Sequence, residues 1–286
     1  MDMNLPDINR TIRVFQMLIA MLFLVFTSPA MVSARVTPDI GDLTLPDLMW
    51  IGEEIFQKEC GGRNDRLLWW NRGEDFPSLG IGHFIWYPKG KEGPFEESFP
   101  AFLRFARERG VRIPRFLTAT SAPHCPWNNR KAFFRARNTR TMKSLYTFLV
   151  ETRHEQTLFI VRRLQSAIPR IMEAASEDRR DHIRAQLFRV GDSPRSLYAL
   201  IDYVNFKGEG LKSSERYNDQ GWGLLQVLEE MSGSEPGPEA IHDFVRAAES
   251  VLLRRVWNAP PYRNEERWFP GWKNRVHDYK NLALSS

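Results

Sequence analysis

The chain has 286 residues, with 40 Lys and Arg against 35 Asp and Glu, 42% hydrophobic residues, nine Trp and only two Cys. The apolar content excludes a disordered chain, the cysteine count excludes a disulfide-built miniprotein, and the absence of repeated long apolar runs excludes a polytopic membrane protein. One globular domain or two small ones remains, and the net charge of +5 favours an anionic partner.

Residues 1–34 read as an export signal. Arg10 and Arg13 precede an apolar run from Val14 to Phe26, interrupted by Gln16, and Val32-Ser33-Ala34 offers small residues to a signal peptidase. Cleavage leaves 35–286 as one domain, periplasmic or secreted, with no stable transmembrane segment; an uncleaved anchor is the alternative. In an oxidising compartment Cys60 and Cys125 are candidates for one disulfide, with two buried free thiols as the other reading. The six histidines show no zinc-ligand spacing, so neither metal nor cofactor is expected.

Next in order, 47–59 predicts an amphipathic helix. Leu48, Ile51, Ile55, Phe56 and Glu59 share one face, and Gly61-Gly62 stops it. Leu79, Ile81, His83 and Ile85 alternate with smaller or opposite-facing residues, which predicts short strands or a hairpin before the Pro88-Lys89-Gly90 turn. This is the chain's one convincing β signal. Helical periods then cover 97–109, 139–166, 168–188, 195–206, 221–231, 237–257 and 263–279. The fold class is α+β and mainly α, with a small N-terminal hairpin.

Glu59 places a carboxyl on the apolar face at a helix C-terminus, where burial and the helix dipole both favour the neutral acid. That is the form needed to protonate a glycosidic leaving group. Glu74, Asp75 and Ser78 follow in a glycine-rich stretch that ends at His83, and two carboxylates with a hydroxyl can hold and activate a water. An extended run would put Glu74 and Ser78 on one face, and a turn at Phe76-Pro77 would undo that.

Glu59, a short loop, an acidic residue and Ser78-Leu79-Gly80-Ile81-Gly82-His83 together resemble the phage-type lysozymes, whose helix-borne Glu precedes a hairpin with Asp and Thr-Ile-Gly-Tyr/Ile-Gly-His. Ala199-Leu200-Ile201-Asp202-Tyr203-Val204-Asn205-Phe206-Lys207-Gly208 is similar to a later helix of that family. Trp257 with Phe269-Pro270-Gly271-Trp272-Lys273-Asn274-Arg275 is similar to its closing segment. The resemblance implies a lysozyme-like fold over 48–88 and 195–279, with Glu59 as acid, Ser78 as a water-positioning hydroxyl and His83 as the hairpin histidine. At the spacing of the family's acidic residue this chain carries Arg72, which leaves Glu74 and Asp75 as rivals for that role. Residues 89–194 read as a large, basic helical insertion without a counterpart.

A second stretch, Gln220-Gly221-Trp222-Gly223-Leu224-Leu225-Gln226, resembles a segment of soluble lytic transglycosylases that follows a catalytic Glu, here Glu209 or Glu215. Keeping Glu59 as the acid, Tyr217, Gln220, Trp222 and Gln226 become groove residues, joined by Trp70 as a ring for a sugar face. The resemblance implies an exported muramidase acting on peptidoglycan glycan strands. A lytic transglycosylase and a catalytically inactive wall-binding or assembly protein are the alternatives. The basic insertion would meet anionic wall polymer or a protein partner, or be merely solvated. Nucleic acid is disfavoured because the basic residues are mixed with acidic ones and accompany no recognition module.

Overall fold

The computed structural model describes residues 40–284, apart from Pro94; the expected export signal at 1–34 lies outside these residues. Helix α1 (Leu45–Cys60) opens on Thr44, whose hydroxyl accepts from the Asp47 N–H while the Asp47 carboxylate accepts from the Thr44 N–H at 2.9 Å. This reciprocal cap fixes the start. Gly61, left-handed at φ 60°, fixes the end, and Ile51, Ile55, Phe56 and Cys60 face the core.

Three two-residue strands follow: β1 (Leu68–Trp69), β2 (Ser78–Leu79) and β3 (Phe84–Ile85), antiparallel in the order β1-β2-β3. Ser78 pairs with Trp69 on one side and Ile85 on the other. The alternation read over 79–85 therefore conceals a turn. Gly80 and His83 both have positive φ, 67° and 47°, and the chain reverses between them. A Cβ at Gly80 would lie 2.2 Å from the Gln156 Oε1, so glycine is required there.

The remaining helices are α2 (Phe99–Glu108), α3 (Arg130–Arg135), α4 (Arg140–Glu151), α5 (Arg153–Ala174), α6 (Arg180–Val190), α7 (Pro194–Lys207), α8 (Leu224–Glu230), α9 (Pro238–Asn258) and α10 (Phe269–Leu284). Several boundaries differ from the sequence expectation. The single helix at 139–166 is two, broken at Thr152, whose hydroxyl donates back to the Phe148 carbonyl at 2.7 Å. The expected break between 166 and 168 is absent: Pro169 lies inside α5. Strands β4 (Arg216–Tyr217) and β5 (Gln220–Gly221) form a further ribbon, which shortens the helix expected at 221–231. Its turn, Asn218-Asp219, has φ of 48° and 60°, the left-handed pair that two-residue hairpins favour.

Residues 89–194 are not an appendage. Helix α5 packs on both α1 and α7, and its Gln156 and Thr157 are buried in the shared interior. Gln156 accepts from the Ile81 N–H at 2.8 Å and donates to the Leu149 carbonyl at 2.7 Å, so α5 holds the hairpin turn in place. A Cβ at Gly52 would meet the Thr157 hydroxyl at 2.4 Å, which shows how closely α1 and α5 approach. Pairing of α9 with α10, and of α10 with α7, completes the helical body.

The proposed disulfide is not formed. Cys60 and Cys125 are both free and buried, each with its own acceptor: the Gly80 carbonyl for Cys60 at 3.9 Å and the Trp127 carbonyl for Cys125 at 3.5 Å. Burial pushes both thiols up to about 12, with the Glu59 carboxylate adding to the effect at Cys60. In the native protein at pH 8 neither thiol should react with a chromogenic disulfide reagent within minutes, and both should react in denaturant. Intact mass should be the same with and without reductant before alkylation; a two-proton difference would restore the bridge.

Candidate active site

Glu59 stands one residue before the end of α1, about 10% exposed at its side chain. Its Oε1 accepts from Arg275 of α10 at 2.5 Å, and its Oε2 lies 3.1 Å from the His83 Nδ1 on the hairpin turn. Arg275 also donates to both oxygens of Asp202 on α7, at 2.7 and 2.9 Å. Asp202 is fully buried and accepts from the Tyr279 hydroxyl at 2.6 Å. Burial works against charge on Arg275, but the Asp202 and Glu59 carboxylates outweigh it and hold the guanidinium's pKa well above its usual value. One permanent cation thus serves two carboxyl groups.

The neighbours of Glu59 come from distant parts of the chain for simple reasons. Lys58 pairs with Asp278, which joins the last turn of α1 to α10. The turn from Gly80 to His83, fixed by Gln156, brings His83 over the carboxyl. Arg275 lies flat against Phe206, 4.3 Å from the ring centroid, which sets the direction of its donors.

Of the two rivals for the second carboxylate, the structure separates Glu74 from Asp75. Asp75 is exposed and tied to Lys91 at 2.8 Å. Glu74 is partly buried, bonded to the Asn71 amide at 3.2 Å and within electrostatic reach of His83. Its pKa is raised, chiefly by burial, with the Asn71 hydrogen bond and the His83 charge working the other way. A bend at Asp75-Phe76 breaks the extended run that would have put Glu74 and Ser78 on one strand face. Ser78 is buried in the central strand.

The proposed sugar-stacking rings are placed differently. Trp70 is 1% exposed, packed edge-on against Phe133, and its indole N–H donates to the Glu74 carbonyl at 2.8 Å. It holds the Glu74 loop rather than offering a face to solvent. Trp222 is also buried, with Arg255 stacked 4.0 Å from its ring. The most exposed large aromatics are instead Trp257 and Tyr262, at 74% and 82%.

The four groove candidates of the second stretch are occupied by internal bonds. Tyr217 donates to Glu265 at 2.9 Å, and Gln226 accepts from the Gly223 N–H at 3.0 Å and donates to the Gly210 carbonyl at 3.3 Å. Gln220 is exposed and accepts from Asn258 at 3.3 Å. Nor do the transglycosylase-type acids fit. Glu209 is clamped by both forks of Arg170, while a single Glu215 oxygen accepts from the backbone N–H groups of Gly210, Leu211 and Lys212.

Sequence reasoning missed Asp202, Tyr279 and the role of Arg275, although Asp202 and Arg275 both lie in the two C-terminal segments that carry the resemblance. A charged residue in the otherwise apolar run Leu200 to Val204 was the signal. Also unforeseen is Lys207, buried between the rings of Phe206 and Trp272 at 4.1 and 3.3 Å, with no ion pair among the described residues. Burial and the nearby Arg255 charge push its pKa well below the usual lysine range. Among the described residues no group of His, Cys, Asp and Glu could hold a metal ion, and no helix is long and apolar enough to cross a membrane.

No family model, no curated protein and no solved structure matches the chain.

Proposed function

We propose that this chain is an exported glycoside hydrolase that cleaves the glycan strands of peptidoglycan, with Glu59 as the general acid. The observation that carries the reading is the convergence of Glu59, His83, Arg275 and Asp202 from a helix end, a hairpin turn and two further helices. Three sequence segments read separately as lysozyme-like each contribute to this one cluster.

In this reading Arg275 holds Glu59 through Oε1 and leaves the proton on Oε2, beside His83. The proton passes from Oε2 to the leaving glycosidic oxygen as the bond from that oxygen to the anomeric carbon lengthens. A water held by Glu74 attacks the anomeric carbon from the other face, and Glu74 takes its proton. Burial of Glu74 suits a base that must not be fully hydrated before substrate arrives.

Digestion of purified peptidoglycan with mass analysis of the soluble fragments tests this. Fragments with free reducing ends, carrying one added water per cleavage, are expected. Fragments one water lighter would replace hydrolysis by transglycosylation. No soluble fragments from protein that still binds glycan would leave the wall-binding reading in its place.

A further inference from the structure

Between the loop that follows α1, strand β1 and helix α3 lies an open cleft of about 450 Å³. Four arginines line it, with Asp65 the only carboxylate among its walls. Arg63 is neutralised by that Asp65 through a two-pronged pair at 2.8 and 3.0 Å. The other three, Arg66, Arg130 and Arg137, form no ion pair among the described residues.

Each of these three guanidiniums is instead laid on an aromatic ring. Arg66 sits 4.8 Å from the centroid of Trp69, and Arg130 and Arg137 sit 4.5 and 4.6 Å from that of Phe134. The two rings brace one another edge to face at 5.6 Å. Arg130 is further fixed by a bond from its Nε to the Trp70 carbonyl at 2.8 Å. Stacking uses the face of a guanidinium and leaves its in-plane N–H donors free at the edge. The cleft is thus lined by three guanidiniums that are held on rings and form no ion pair among the described residues, with donors left for an anion.

We propose that this cleft binds the phosphate of a phosphomonoester or pyrophosphate. A carboxylate has one charge and two oxygens and leaves at least one of the three forks unanswered. A phosphomonoester has close to two charges and three terminal oxygens, and a pyrophosphate, with more of both, reaches across more of the cleft. The site is separate from Glu59, and its occupancy does not depend on glycan cleavage.

Calorimetric titration of the full chain with inorganic phosphate and inorganic pyrophosphate, at fixed ionic strength, tests the proposal, with acetate as the control anion. One saturable site is expected, tighter for pyrophosphate, with no binding of acetate at the same concentrations. Arg66→Gln with Arg137→Gln alters two surface turns and should weaken pyrophosphate at least about tenfold with an unchanged melting curve. Asp65→Asn releases Arg63 as a fourth fork and should tighten binding, a gain that misfolding cannot produce.

Vesicles of phosphatidylcholine containing phosphatidic acid extend the test to a lipid-borne phosphomonoester. Capture reversed by soluble pyrophosphate assigns the ligand to a lipid, and soluble binding without capture assigns it to a free phosphorylated molecule. Absence of saturable binding in both arms, equal binding of acetate, or an unchanged affinity in the double variant overturns the proposal.

Discussion

Glu59→Gln is expected to slow release of soluble fragments from peptidoglycan by about 10²–10⁴-fold, the range that a positioned general acid contributes. The substitution is close to isosteric, and the amide oxygen can still accept from Arg275, so the fold and the glycan affinity should change little. What is lost is the transferable proton. Activity should therefore fall in the bond-breaking step and not in binding, which a comparison of single-turnover rate with glycan pull-down separates. A Gln variant that digests as fast as the wild type moves the acid elsewhere. Parallel variants at the two neighbouring carboxylates sharpen the test. Glu74→Gln should lower the rate, because Glu74 is partly buried and feels His83, whereas Asp75→Asn should not, because Asp75 is exposed and bound to Lys91.

The parts of this site that were legible beforehand are those coded locally. The apolar stripe of α1 and the Gly61 stop are short-range signals, and they place Glu59 at a helix end without knowledge of the fold. The turn after Ser78 was half legible. The glycines marked it as special, but only the close approach of Gln156, 76 residues beyond Gly80, explains why Gly80 must be glycine. Partners that meet across the fold left no local trace. Asp202 and Arg275 lie 73 residues apart and Glu59 and Arg275 216 apart, so their pairing rests on how α7 and α10 cross. The aromatic rings failed for a related reason. Trp70 and Trp222 lie beside or within the segments that carry the resemblances, yet a local sequence does not distinguish an indole packed inward from one facing solvent. The basic middle of the chain shows its surface arginines in its composition and hides its part in the core. The buried face of α5, with Gln156 and Thr157 at its centre, is what ties α1, the hairpin and α7 into one core.

Asp202→Ala is expected to cost about 3–5 kcal/mol of folding stability, the usual consequence of removing one partner from a buried ion pair. The cost follows from the groups left behind. Arg275 would keep its charge in the interior with Glu59 alone as counter-ion, and the Tyr279 hydroxyl, itself fully buried, would lose its acceptor. Tyr279→Phe removes only the hydroxyl and should cost less, about 1.5–3 kcal/mol for a hydrogen bond to a charged acceptor. Denaturant titration of the three proteins orders them, and a loss below about 1 kcal/mol for Asp202→Ala would show that the carboxylate is not charged or not buried as described. The same variant should also lose activity beyond its loss of folded protein. With Asp202 gone, Arg275 loses the partner that holds it through two hydrogen bonds, and the donor that positions Glu59 is no longer fixed. Activity per folded molecule should fall with Asp202→Ala and be retained far better by Tyr279→Phe, which leaves both of those bonds in place. Equal activity per folded molecule in all three proteins would confine Asp202 to a structural role.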